Sequence, residues 1–399
     1  MKILFSLLLI FGLAFAGDAT IEVIKKVDAL PSIGIEDASI SYNDTFKLQF
    51  FKTLVADLNV ISLFNVDRFH RTTHYNATDV LVENKDMNYV LRYKMFEDDS
   101  GALNIDMKII QNDTAVFSKS YKVNRKNIYM FVSHAIAYDV NKFMGEPSVL
   151  WMKRKVIFSR IVGPKKSEIV ISDYSLSYQH VILKGGFNIF PKWANKAQNA
   201  FYYTSLDGAQ PTLKHVNLKT LKVSSIISSD GMMICSDVSR DGKTLLLTMA
   251  KNGQPDIYTY NVKSRKYKRE TTYGGIDVNA QFMDKNRIVF ISSRLGYPNV
   301  FSKRLDTKEI EQMVYYGRSN SNAFEHNTFN LHLISLKTDF IRRLTVSGVN
   351  EFPRFSGDGD AILFIKNYKN QSSIGIIRLN YNKNYLFPLK YGKVQSMDW

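Results

Sequence analysis

The chain has 399 residues, 45% of them hydrophobic, and its 53 lysines and arginines against 37 aspartates and glutamates give a net charge of +16. That length and apolar content suffice for two domains with their own cores and exclude wholesale disorder. A single cysteine, Cys235, excludes an internal disulfide, so stability has to come from packed side chains or from a domain closed on itself.

The opening "MKILFSLLLIFGLAFA" holds one lysine, then fourteen residues without a charge, and ends in the small-x-small pattern Ala14-Phe15-Ala16. This is the pattern of a secretory signal, with cleavage expected after Ala16. It falls short of the roughly 20 apolar residues an anchor needs to span a bilayer. Export argues against nucleic acid as the partner of the basic excess. The charge reads instead as scattered over solvated faces, with attraction to acidic envelope material such as peptidoglycan or anionic lipid as the second reading.

Residues 17–150 read as a small α/β domain. An extended start, "DATIEVIKKVDAL", runs up to Pro31. In "DTFKLQFFKTLVADLNVISLF", Phe46, Phe50, Leu54 and Leu58 fall four apart on one helix face, with Asp44 or Thr45 available as cap. "YVLRYKMFED", "ALNIDMKIIQ" and "AVFSKSYKV" alternate apolar and polar residues and are separated by "DSG" and "NDT", which predicts three antiparallel strands. "RKNIYMFVSHAIAYDVNKFMG" returns to helical spacing and stops at Gly145.

From about 151 to 399 only short strands remain. Trp193, Val238, Phe282, Phe355 and Trp399 each precede a turn and stand 45, 44, 73 and 44 residues apart. A period near 44 with several strands per unit is the signature of propeller blades. The units run 154–187, 188–231, 232–275, 276–317, 318–349 and 350–399, which predicts six blades with the fifth shortened. The first unit starts at "RKVIFSR" without an inner strand, and the chain ends in "KVQSMDW", an inner strand without a blade. The two halves complete each other, so the last strand should close the ring. In "SRDGK" and "SGDGD", Asp241 and Asp358 sit at equivalent corners, read as two-residue type I′ hairpin turns rather than as catalytic acids.

The chain contains no Gly-x-Ser-x-Gly elbow, His-Glu-x-x-His pair, phosphate loop or dinucleotide fingerprint. His70 and His74 would need a helix and a third ligand to hold a metal, and His134 reads as a packed helix histidine. No catalytic, cofactor-binding or metal-ligating residue is assigned. What remains is a binding surface: the loops that lead into the inner strands gather around one mouth of the channel, near Asn188, Met232, Asp277 and Asn350.

These features together carry a likeness. The leader, the small α/β domain, the junction "SHAIAYDVNKFMGEPSVLWMKRKVIFSR", the "FPRFSGDGDAILFI" repeats and the terminal "KVQSMDW" resemble the TolB family, periplasmic proteins of the Tol–Pal system. The resemblance implies a non-catalytic, monomeric periplasmic scaffold without a cofactor, supporting outer-membrane integrity and constriction at division. It further implies that Thr20, Ile21, Glu22, Val23, Ile24 and Lys25 engage a TolA-like inner-membrane protein. The rim positions would then engage a Pal-like peptidoglycan-associated lipoprotein. Peptidoglycan itself and other outer-membrane proteins are further candidate partners. The turns depart from the family in carrying Arg240 and Gly357 where proline is common. A propeller-gated periplasmic hydrolase or peptidase accessory and a direct peptidoglycan binder stand as the alternatives.

Overall fold

A computed structural model describes residues 30–314, 329–338 and 340–399. The expected leader and the segment Thr20–Lys25 lie outside the described residues. No described helix is long and apolar enough to cross a membrane.

The N-terminal α/β region begins with β1 (Ser32–Asp37), α1 (Asp44–Ile61), β2 (Asn65–Val66) and β3 (Arg71–Thr72). It continues with β4 (Tyr89–Glu97), β5 (Leu103–Gln111), β6 (Thr114–Val123) and α2 (Tyr129–Phe143). The sheet order is β2-β1-β4-β5-β6, with β3 also paired to β1. β4 to β6 form the predicted antiparallel meander, whereas β1 runs parallel to β2, β3 and β4. Sequence periodicity misses β1 because "SIGIED" is buried along nearly its whole length and so does not alternate. Helix α1 buries Phe50, Leu54 and Leu58 as expected, but its cap is Asn43, whose side chain accepts from the Phe46 N–H at 2.9 Å.

The remaining strands form sheets of a β-propeller. They are β7 (Val156–Gly163), β8 (Lys166–Ser172) and β9 (Gln179–Lys184), then β10 (Asn188–Trp193), β11 (Ala200–Ser205), β12 (Thr212–Asn217) and β13 (Val223–Ser228). The third blade is β14 (Met233–Val238), β15 (Thr244–Lys251), β16 (Gln254–Asn261) and β17 (Tyr267–Arg269). The fourth is β18 (Asp277–Phe282), β19 (Arg287–Ser292), β20 (Asn299–Arg304) and β21 (Ile310–Gln312). A two-stranded sheet, β22 (His332–Ile334) and β23 (Ile341–Arg343), precedes the last blade, β24 (Val349–Phe355), β25 (Ala361–Tyr368), β26 (Gln371–Arg378) and β27 (Lys383–Pro388). The closing strand β28 (Lys393–Asp398) pairs antiparallel with β7, making the fourth strand of the first blade.

Where six blades are expected, the described residues form five four-stranded blades and, apart from them, a two-stranded hairpin. The hairpin falls in the unit expected to be short, and Phe329 O accepts from the Asn350 N–H at 2.9 Å, tying it to the last blade. Four of the five anchors, Trp193, Val238, Phe282 and Phe355, end inner strands, and Trp399 follows the fifth. The Asp-Gly corners serve the turn, but by another geometry than type I′. Only Gly242 takes a positive φ, +73°, and donates to Ser239 O at 2.8 Å, while Asp241 accepts from Ser239 Oγ at 2.7 Å and from the Lys243 N–H at 3.1 Å. Gly359 and Asp358 repeat this around Ser356.

Strands alternate in direction within each blade, so inner strands start at one end of the propeller, the front, and finish at the other, the rear. The inner strands run in phase around the ring: Phe190 N donates to Ser396 Oγ at 2.9 Å, and Trp193 N to Asp398 Oδ2 at 3.0 Å. The α/β region sits on the rear of the first and last blades. His134 of α2 lies fully buried between Asp57 of α1 (2.8 Å) and Asp173, just after β8 (3.1 Å). Tyr174 and Ser133 also donate to Asp57. The Arg378 guanidinium donates to Val60 O (3.2 Å) and Ile61 O (3.0 Å), the unsatisfied carbonyls at the end of α1. One apolar cluster runs from Phe50 and Leu58 through Trp151 and Tyr174 to Phe158, Leu363 and Met397.

Burial, the largest single influence, disfavours charge on His134, but Asp57 and Asp173 overcome it and carry the imidazole up to about 10. A raised folded-state pKa contributes stability that is full below the ordinary value of 6.5 and lost as pH rises through about 10. Unfolding by urea should therefore become easier across that alkaline window. His134→Gln should lower stability by about 3 kcal/mol at neutral pH, because it leaves buried carboxylates uncompensated, and should flatten the alkaline slope. An unchanged slope in the variant would show that other groups set it.

Candidate binding mouth

Each inner strand carries a β-bulge at the same place. The register slips between Ile189 and Lys192, Cys235 and Asp237, Val278 and Gln281, Glu351 and Arg354, and Val394 and Ser396. At three of these sites a non-glycine residue takes a positive φ: Phe190 (+54°), Asn279 (+56°) and Phe352 (+52°). For phenylalanine that conformation is costly, so the surrounding structure must hold it, and such strain concentrates at sites that present side chains. Here the bulges turn side chains into the channel. One cavity of about 390 Å³ is lined from all five inner strands, including Phe190, Met232, Asn279, Phe352, Arg354 and Met397. The Phe190 and Phe352 rings stand 6.2 Å apart across Ser396.

Lys192, Asp237, Gln281, Arg354 and Asp398 stand before the anchors. Of these, Lys192 and Arg354 line the floor of the cavity and draw Asp237 and Asp398 to them. Lys192 Nζ bridges Asp398 at 2.9 Å and Asp237 at 3.2 Å, joining three blades. The same carboxylates accept from the next blade's backbone, Asp398 from Trp193 N and Asp237 from Phe282 N at 2.9 Å. Burial opposes the Lys192 charge most, yet Asp398 and Asp237 outweigh it and the repulsion of Arg354, and its pKa stands above the usual lysine value. Arg354 is 3.9 Å from Asp398, and its buried Nε has no hydrogen-bond partner. Burial above all pushes the Cys235 thiol pKa up, which holds it as an unreactive thiol in the wall.

All four rim residues read from spacing lie at or beside inner-strand starts, but they differ in what they do. Met232 is 42% exposed and faces the cavity. Asn188, Asp277 and Asn350 are buried. Asn188 donates to Gly185 O at 2.9 Å, and its N–H to Ser167 Oγ at 2.7 Å. Asp277 is held by both oxygens to Arg294 Nη2, at 3.2 and 3.1 Å. Asn350 donates to Phe329 O at 2.8 Å. These three latch the front loops, and the bulge and floor residues supply the cavity. The alternation of lysine, aspartate, glutamine, arginine and aspartate before the anchors was the sequence signal for the floor.

No group of three or more His, Cys, Asp or Glu residues placed to hold a metal occurs among the described residues. His70 pairs with Asp37 at 2.9 Å, and His74 is exposed.

The fold and site define a β-propeller behind a small α/β region, with a cavity open at the end away from that region. Residues 141–399 match the family model described as "TolB beta propeller domain". The chain is 46% identical to the Tol-Pal system protein TolB of Wolinella succinogenes and 40% identical to that of Campylobacter jejuni, each over 100% of both chains. It is also similar in fold to the crystal structure of TolB from Acinetobacter baumannii, with a TM-score of 0.74 and 16% identity over 93% of this chain and 97% of that one. The chain belongs to the TolB family of Tol-Pal system proteins.

Replacing Lys192 by Met removes the ion-pair partner of Asp237 and leaves Asp398 with the Arg354 guanidinium at 3.9 Å. It should cost about 3 kcal/mol in urea unfolding. Met232→Ala, at an exposed rim, should stay within about 0.5 kcal/mol of the parent. Equal effects of the two would mean that the floor bridge does not hold the blades.

Proposed function

We propose that the protein is a non-catalytic periplasmic scaffold that docks a Pal-like peptidoglycan-associated lipoprotein in the front cavity and a TolA-like inner-membrane protein through residues 20–25. In this reading it couples the envelope layers, supports outer-membrane integrity and acts during constriction at division. The leader at 1–16 directs export, the α/β domain spans 17–150, and residues 151–399 form a six-fold ring in which β22 and β23 are the shortened fifth blade.

The observation that carries the docking reading is the cavity: five bulged inner strands open into one socket at the end the helices leave uncovered. Its chemistry suits an inserted loop. Phe190, Met232 and Phe352 offer apolar contact, and the Arg354 guanidinium in the cavity lining offers positive charge to a carbonyl or carboxylate. Met232 is the rim contact, while Asn188, Asp277 and Asn350 shape the loops around it. The full-length likeness to relatives named for the Tol-Pal system supplies the partner classes.

Titration calorimetry with the purified lipoprotein tests this. Met232→Glu together with Arg354→Ala should weaken binding at least tenfold, about 1.4 kcal/mol, with the melting transition retained. Removing residues 17–30 should abolish capture of the TolA-like protein and leave lipoprotein binding in place. Undiminished lipoprotein affinity in the double variant would reject the socket.

A further inference from the structure

The rear of the second, third and fourth blades carries a surface that the front cavity does not explain. In each of these blades the turn after the third strand is bonded to the turn after the first. Leu218 N donates to Asn199 O (2.9 Å), Val262 N to Lys243 O (2.9 Å) and Leu305 N to Asn286 O (2.7 Å). The paired turns make a fixed rim. Its carboxylates are engaged locally: Asp241 caps its own turn, Asp284 accepts from the Asn286 and Arg287 N–H groups, and Asp306 pairs with Arg304 at 3.0 Å.

The cations of the rim are differently placed. Residues 263–269, "KSRKYKR", are exposed without a break and include five cations. Among the described residues, no ion pair is formed by Lys263, Arg265 or Lys266 on that turn, nor by Lys219 or Lys222 on the preceding blade. Lys219 and Lys222 flank Leu221, a turn apex that is 64% exposed. On the following blade Met283, 46% exposed, stands two residues from Lys285. An apolar apex between two cations on one turn, an unbroken exposed run rich in cations on the next and an exposed methionine near a lysine on the third have the chemistry of a surface that rests in a headgroup layer: the apolar side chains enter the interface while the cations meet lipid phosphates.

We propose that this rear rim docks on an anionic phospholipid bilayer. Such docking leaves the front cavity pointing away from the membrane, open to its own partner. The proposal goes beyond the scaffold reading and stands without it. Each cation near an anionic leaflet is worth about a fivefold gain in affinity, so the cluster suffices for reversible attachment.

Sedimentation of the chain from Gly17 onward with vesicles of about 30% phosphatidylglycerol in phosphatidylcholine, and with phosphatidylcholine alone, tests it. Binding should be confined to the anionic vesicles and should fall steeply between about 50 and 300 mM salt. K219Q/K222Q/K263Q/R265Q/K266Q should bind at least about tenfold more weakly. A front-end control with the same loss of charge, K165Q/K166Q/K184Q/K390Q/K393Q, should stay within about twofold of the parent. If the quintuple variant fails to fold, K219Q/K222Q and K263Q/R265Q/K266Q carry the test separately, each with at least about a threefold loss. Equal losses in the rear and front variants would overturn the proposal in favour of bulk charge. Capture by peptidoglycan sacculi with no binding to vesicles would overturn it in favour of a glycan partner. Lipoprotein binding measured on the same variants separates this outcome from the fate of the socket.

Discussion

The ring depends on one seam. Neighbouring blades meet through side-chain bonds and apolar faces, but the first blade is completed by the end of the chain, which leaves the last blade and lays β28 against β7 in a backbone ladder. That ladder joins residues more than 230 positions apart in sequence, as in the pair Asp398 and Ile157. Closing so long a loop costs entropy that grows only logarithmically with length, so a few well-formed ladder bonds and their side chains can hold it. The side chains are there. Arg160 of β7 lies 3.8 Å under the Tyr391 ring just before the closing strand and pairs with Glu168 at 2.6 Å. At the other end of the seam Asp398 binds Lys192 and the Trp193 N–H of the next blade. Asp398 therefore both ends the ladder with β7 and binds Lys192 beneath the cavity.

The same economy explains why charged residues occupy inner strands. A strand position facing an apolar sheet would exclude Lys192 and Arg354, but the bulges rotate the residue before the anchor of these inner strands toward its neighbours around the channel. There, cation and anion alternate between adjacent blades, and each carboxylate keeps a backbone N–H as a second partner. A polar ring satisfied in this way specifies the spacing between blades, because an amide or carboxylate bonded across an interface tolerates little sliding. Apolar residues alone would hold the blades together without fixing that spacing so narrowly.

What the sequence made legible followed from periodicity. The anchors, the completing strand "KVQSMDW" and the meander of β4 to β6 all repeat or alternate, and all are where spacing puts them. β1 does not alternate because both its faces are buried, and the parallel pairing with β4 has no local signature. The bulges were hidden for a related reason: Phe190 and Phe352 read as ordinary strand residues, and the bond that holds Phe190 in its conformation comes from Ser396 of the neighbouring blade. Asn188, Asp277 and Asn350 had the polarity and place of rim contacts, yet polarity at a loop is equally what a latch requires. His134 illustrates the limit most sharply. Its helical position predicted burial, but its partners Asp57 and Asp173 come from elements 77 residues before it and 39 after it.

Where α1 and α2 are fastened bears on the cavity itself. Asp173 and Tyr174 belong to the first blade, and Arg378 and Tyr385 to the last, so the helices bridge the two blades that meet at the seam. These blades also supply Phe352, Arg354, Ser396 and Met397 to the cavity wall. A group inserted at the front that spreads the first and last blades has to strain the rear bonds by which α1 and α2 hold both of them. Those rear bonds are buried and charged, and breaking one leaves an uncompensated group, whereas the front wall is made of rotatable side chains. The mechanical consequence is a propeller stiff at the rear and compliant at the front. A partner would be accommodated by side chains at the mouth, with strain reaching the N-terminal region through Asp57, His134, Arg378 and Tyr385 and through the shared apolar cluster.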